Sequence, residues 1–238
     1  MAENKNGAEI LMINGESGSG KSASLENMPV KETVILTPNS KPLPFKGGSA
    51  YGKRLMRLHS LREIAEKLVA LDAMQDDNGN SRAPRYVVVE DFTHYQNNTL
   101  LSDKFYNEGQ GSNKFARWEA FGRSVYNSIW AVAPQLKHIK YVIVIGHTAK
   151  DADGQYSFKT FGKMVGNSMD PVSYSRIVLH SLVRREGEGS SAKNRYVFLT
   201  NSDGVHEAKS PKGMFADMDV PNDLYEVLKT IEQYDSGE

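Results

Sequence analysis

Short apolar runs rich in β-branched residues alternate along the chain with longer segments of helical spacing. Four runs bounded by turn residues read as strands: Ile10 to Ile13, Thr33 to Leu36, Tyr86 to Val89 and Tyr141 to Ile145. Arg176 to Leu182 and Arg195 to Leu199 read as two more. The runs at 86–89 and 141–145 are apolar on both faces, the pattern of central parallel strands covered on each side. Pro38 stops the second strand, because proline has no N–H to give a ladder.

Helices fall between these runs. Ser60-Leu61-Arg62-Glu63 forms a capping box, and Leu61, Ile64, Leu68 and Leu71 then recur at helical spacing as far as about Met74. A second helix is predicted over Lys114 to Val132, with Phe115, Trp118, Phe121, Val125 and Ile129 on one stripe. That stripe reads as core rather than as a stacking platform. A last helix follows Pro221, from Asn222 to Tyr234. The polar segments Asp72 to Arg85 and Arg184 to Lys193 read as mobile connections, the second as a long hairpin. Alternating strands and helices predict a mostly parallel central sheet flanked by helices, with antiparallel strands at the C-terminal end. The expected organisation is one domain over residues 1–238.

Composition narrows the class. An apolar content of 39% and a charged content of 24% suit a globular protein, and no apolar run approaches the length of a membrane span. Residues 1–8 carry no signal-peptide apolar region, and the chain has no cysteine. A cytoplasmic location is the expectation, and thiolate metal sites, disulfides and cysteine nucleophiles are excluded. Lysine plus arginine and aspartate plus glutamate each number 29, so nucleic-acid contact would need a local basic patch. Candidates are Lys46, Lys53, Arg54 and Arg57, then Lys159 to Lys163, then Lys209 to Lys212.

The most specific chemistry lies after the first strand. Gly15-Glu16-Ser17-Gly18-Ser19-Gly20-Lys21-Ser22 matches G-x-x-x-x-G-K-[ST] without a mismatch. Glycines let successive backbone N–H groups face one concavity, which suits phosphate oxygens at the start of a helix opened by Ser22 to Leu25. Lys21 would reach the β- and γ-phosphates, and the Ser22 hydroxyl would hold Mg²⁺. The third strand ends in Glu90-Asp91, so one acid can sit near the metal and the other can serve as general base. Glu90 is assigned to the metal and Asp91 to the water, with the reverse order open. The fourth strand ends Gly146-His147-Thr148, where His147 or Thr148 is placed to sense the γ-phosphate. Lys209 or Lys212 could reach a neighbouring subunit's phosphate as a finger in trans.

The residues GESGSGKS at 15–22, YVVVEDF at 86–92, YVIVIGHT at 141–148, RIVLHSLVR at 176–184 and AKSPKGMF at 208–215 together resemble the RecA/RadA-like P-loop ATPases. The likeness is to the compact single-domain versions encoded by phages and associated with single-strand annealing and recombination. It implies a RecA-like core, ATP and Mg²⁺ as cofactors, and ring or filament homo-oligomers. It further implies action on single-stranded DNA beside other recombination or replication proteins. Two positions depart from the pattern. The family's acid after the second strand is absent from Thr37-Pro38-Asn39-Ser40, and Glu90 stands where aspartate is usual.

Two other functions compete. A nucleotide-gated assembly or partner-binding module would fit the departures around hydrolysis. A small-molecule or nucleotide kinase would need an arginine-rich lid, and Arg184-Arg185 is the one arginine pair. Candidate stacking aromatics outside the helical stripe are Phe45, Tyr51 and Phe161.

Overall fold

A computed structural model describes residues 7–108, 115–162, 169–187 and 192–237. Its strands are β1 (Glu9–Gly15), β2 (Thr33–Thr37), β3 (Leu55–Arg57), β4 (Tyr86–Val89), β5 (Tyr141–Ile145), β6 (Thr148–Lys150), β7 (Tyr156–Phe158), β8 (Ile177–Glu186), β9 (Lys193–Leu199) and β10 (Asp219–Pro221). Its α-helices are α1 (Leu61–Asp72), α2 (Phe92–Leu100), α3 (Asp103–Glu108), α4 (Ala116–Ser128) and α5 (Leu224–Ser236).

Eight strands form one sheet in the order β10-β9-β8-β1-β5-β4-β2-β3, and β6 pairs with β7 separately. From β8 through β3 every pairing is parallel, while β9 and β10 join antiparallel. The molecule is therefore α/β with a mostly parallel central sheet and an antiparallel end. β1 lies between β5 and β8, in register Ile10↔Val142 and Gly15↔Ser181.

Strand alternation divides the core into two layers. Met12, Leu36, Val87, Val89, Val142 and Val144 face α1, α2 and α4 through Leu61, Ile64, Leu68, Phe92, Phe121 and Val125. Leu11, Ile13, Ile35, Val88, Ile143 and Leu179 face the other way, against Leu25, Met28, Tyr51 and the Leu224, Val227, Leu228 and Ile231 face of α5. Ser60 caps α1 as predicted, with the return bond of Glu63 reaching one residue before the cap. Ser60 Oγ accepts from Glu63 N–H at 3.2 Å, and Glu63 Oε2 accepts from His59 N–H at 2.9 Å.

Several expectations are corrected. No α-helix follows the phosphate-loop motif. The chain makes one 3₁₀ turn, Ala23–Leu25, and Pro29 disfavours helical backbone at Met28 beyond it. Phe115 precedes α4 and is 82% exposed, so it stands outside the stripe that Phe121, Val125 and Ile129 bury. Tyr51 is buried in the core, with Phe45 packed edge-on to it, so Tyr51 is no surface aromatic. The segment Asp72 to Arg85 is a closed turn: Asp76 accepts from the N–H groups of Asn78 and Asn80, and Gln75 bridges Ser81. Lys114, Lys163 and residues 188–191 of the expected hairpin tip lie outside the described residues, while the hairpin arms pair from His180↔Leu199 to Glu186↔Lys193. Among the described residues, no helix is long and apolar enough to cross a membrane.

Candidate functional site

The carboxyl ends of β1, β2, β4 and β5 open into one cleft of about 540 Å³. Residues beyond the ends of parallel strands are where α/β sheets bind ligands, because successive loops converge there. Of the Gly15–Ser22 motif, Ser17, Gly18, Gly20, Lys21 and Ser22 line the cleft. Gly15 and Ser19 are buried behind this lining, and Glu16 is exposed. A Cβ on Gly15 would lie 2.7 Å from both the Ser181 carbonyl oxygen and Ser19 Oγ, so only glycine allows β1 to approach β8 this closely.

Lys21 is buried, and its ammonium donates to the carbonyl oxygens of Gly15 at 2.9 Å and Glu16 at 2.7 Å. An ammonium has three donors, so one is left for a ligand. Burial lowers the Lys21 pKa, and Glu90, Asp91 and Glu16 oppose that shift. The backbone N–H groups of Ser17, Gly18, Gly20, Lys21 and Ser22 meet no acceptor among the described residues. Amides without an acceptor on cleft-lining residues, beside a buried cation, leave donors that an anion could take.

Across the cleft, the Ser22 hydroxyl donates to Glu90 Oε1. Glu90 Oε2 is buried without a hydrogen-bond partner. Burial of this carboxyl pushes its pKa up to about 7; the Ser22 hydrogen bond opposes the shift, and Asp91 adds to it. An orphaned carboxylate oxygen beside a hydroxyl is a hard-oxygen pair that fits Mg²⁺.

Asp91 is the one described non-glycine residue with positive φ, at φ 55° and ψ 51°. That backbone costs on the order of 1 kcal/mol, and such outliers gather at functional sites. It aims the carboxylate between two histidines. His147 Nε2 lies 3.6 Å from Asp91 Oδ1, and His94 Nδ1 lies 4.0 Å from Oδ2. Burial and then Lys21 lower the His147 pKa, so its neutral form is favoured. The His147 N–H donates to Thr93 Oγ1 at 2.9 Å, which ties the end of β5 to the first turn of α2. Thr148 opens β6 and does not line the cleft, and its hydroxyl oxygen is buried without a partner.

Sequence reading missed several residues in and beside the cleft. Thr93 and His94, which touch His147 and Asp91 without lining the cleft, come just after Phe92, and the polar run FTHYQNNTL of α2 conceals their helix. Thr37, Asn39 and Lys41 line the cleft across from Lys21, with Pro42, Leu43, Pro44 and Leu55 beside them. Tyr196 of β9 closes the opposite side. Its ring abuts Gly20, where a Cβ would lie 2.8 Å from the ring edge. Thr37 and Asn39 occupy the end of β2, so the position that carries no acid in sequence faces the cleft with neutral groups.

The remaining candidates lie elsewhere. Lys209 pairs through its backbone with Val178 near the start of β8, and Lys212 is exposed; neither lines the cleft. Arg184 is held by Asp219 at 2.9 and 3.0 Å, and no arginine is among the described cleft residues. Lys46, Lys53 and Arg57 are exposed around the edge strand β3, where charge discourages further strand pairing. Phe161 is half-buried with Lys159 Nζ 5.3 Å from its ring centre, and Arg117 stacks 5.7 Å from the half-buried Trp118. Gly162 meets Trp118 closely, since a Cβ there would lie 2.7 Å from the indole. No protein-family model matches the chain, and no curated protein matches it.

Proposed function

We propose that the chain is a RecA-like P-loop ATPase that binds ATP with Mg²⁺ and acts on single-stranded DNA. The observation that carries this reading is the buried Lys21 ammonium in a loop of five open backbone amides. Such a set of donors suits a polyphosphate better than a single small anion, because it extends from Ser17 to Ser22. The far end of the cleft is less polar. Tyr196 on one side and Pro42, Leu43, Pro44 and Leu55 on the other offer flat and apolar surface for a purine base.

Ser22 Oγ and Glu90 would hold Mg²⁺, which when bound neutralises charge on the β- and γ-phosphate oxygens. Lys21 supplies a fixed positive charge to the same oxygens. Asp91 would accept a proton from an attacking water, with His147 Nε2 3.6 Å from its carboxylate. Asp91 belongs to the same turn as Glu90, so both carboxylates reach the cleft from the end of one strand.

The DNA part of the proposal rests on a second surface. Lys159, Phe161, Trp118 and Arg117 form a group of aromatic rings and cations. Base stacking with backbone neutralisation needs this mixture. The Lys159 N–H donates to the His147 carbonyl at 2.8 Å, so this surface adjoins the cleft through one hydrogen bond. Assembly as a ring or filament would bring Lys209 or Lys212 to a neighbour's cleft. A nucleotide-gated assembly with little turnover is the second reading, favoured by the neutral Thr37 and Asn39 facing the cleft. The test is steady-state ATP hydrolysis with and without single-stranded DNA at low salt, where phosphate contacts are strongest. A rise with DNA is expected. ATP bound without turnover in either condition would favour the gated assembly, and phosphate transfer to an acceptor in place of release would make the chain a kinase.

A further inference from the structure

The loop at 15–22 lacks the helix that would ordinarily anchor its end, since only the turn Ala23–Leu25 follows it. Its support comes instead from residues far along the chain. Ser181, fully buried on β8, donates its hydroxyl to the Ser19 carbonyl at 2.7 Å. Asn222, just before α5, donates its side-chain amide to Ser181 Oγ at 3.1 Å. One hydroxyl therefore stands at the centre of a directed chain, Asn222 to Ser181 to Ser19. Its proton is committed to the loop and its lone pair to the amide.

Three loop residues bear on this junction. Gly15 packs against Ser181, where a Cβ would lie 3.2 Å from Ser181 Cβ. Ser19 receives the hydrogen bond, and its own Oγ is buried without a partner. Gly20 lies beneath Asn222, whose Oδ1 would be 3.0 Å from a Cβ there. Ser17, Gly18, Gly20, Lys21 and Ser22 flank Ser19 with the open amides. A shift of the Ser19 peptide therefore turns the amides on either side of it.

We infer that Ser181 and Asn222 are positioning residues for the triphosphate: the end of the chain holds the loop in its anion-binding shape. This rests on the nucleotide reading above. Without the Ser181 hydroxyl the Ser19 carbonyl and the Asn222 amide lose their shared partner, and the loop relaxes toward its own internal bonds. The effect is expected on phosphate binding, because both residues act on the loop that carries the open amides.

The experiment measures the affinity of inorganic tripolyphosphate, which has no base, and of ATP with Mg²⁺. The proteins are the parent chain, Ser181→Ala, Asn222→Ala, the double variant and Asn27→Ala. Asn27 donates to Asp223 at 2.7 Å and so touches the same helix start without reaching the loop. Ser181→Ala and Asn222→Ala are expected to weaken both ligands about tenfold, the scale of one lost hydrogen bond. The double variant should lose no more than Ser181→Ala alone, since both act through one hydroxyl. Asn27→Ala should bind as the parent does. Asn222 is half-exposed, so its variant keeps the test open if Ser181→Ala does not fold. A folded Asn222→Ala that binds tripolyphosphate like the parent overturns the inference, as does an equal loss in Asn27→Ala. A parent chain that binds ATP with unchanged variants overturns this inference alone. A parent that binds neither ligand overturns the nucleotide reading beneath it.

Discussion

Glu90 carries a cost that the fold accepts for the sake of the cleft. Its pKa of about 7 exceeds the usual carboxylate value because the carboxyl is buried with one oxygen unpartnered. The unfolded chain ionises this group near 4.5, so its contribution to stability is lost as pH rises from there through about 7. His180 acts in the opposite range. Burial, with His206 beside it, pushes its pKa down to about 4, and its Nε2 is buried without a partner. The unfolded chain takes up that proton near 6.5, so stability falls as pH drops from there toward 4. Urea unfolding of the ligand-free protein should find Glu90→Gln more stable than the parent at pH 8, by up to about 3 kcal/mol, and indistinguishable at pH 4. Equal stability at pH 8 would mean that Glu90 is not held in the buried state described. Asp91→Asn is expected to lower hydrolysis about a hundredfold and leave ATP affinity within a few-fold, as loss of a general base does. A matching loss of affinity in Asp91→Asn would assign it to the metal instead of the water.

At the scale of elements, the sequence was most legible where one periodicity dominated. Tyr86–Val89 and Tyr141–Ile145 appear with the predicted bounds, because a run buried on both faces has little ambiguity. α1 was readable from its capping box and stripe, α5 from Pro221 and its apolar residues, and the loop motif from its glycines, while the cap of α5, Asp223, was not foreseen. β3, β6, β7 and β10 are three residues each, too short for alternation to register. α2 was hidden because its buried side includes Thr93 and Gln96 beside Phe92 and Tyr95. The cleft was half legible. Glu90, Asp91 and His147 follow apolar strands, whereas Tyr196 and Lys41 come from a hairpin arm and a loop whose place depends on tertiary packing. Trp118 packs against the core edge-on to Phe105 and Phe121, as its stripe predicts, while staying half-buried beside Gly162 and Arg117. Trp118→Ala and Phe161→Ala should each weaken binding of a fluorescent oligo-dT at low salt by about tenfold, with ATP affinity unchanged. Retained DNA affinity in both variants would remove this surface from the proposal.

For the molecule as a whole, sheet order does what no single motif could. Placing β5 between β1 and β4 sets His147 between the loop and the Glu90-Asp91 pair, so residues from 15 to 147 share one cleft. β8, parallel to β1, then brings Ser181 to the same end of the sheet, and antiparallel β9 sets Tyr196 opposite Val183 beside it. The central claim is that this end holds a triphosphate through Lys21. Calorimetric titration of ATP with Mg²⁺ into the parent and Lys21→Ala tests it most directly. The account predicts saturable binding at one site per chain in the parent and at least about a hundredfold weaker binding in a Lys21→Ala protein with an unchanged circular dichroism spectrum. Equal affinity in the two proteins would contradict it.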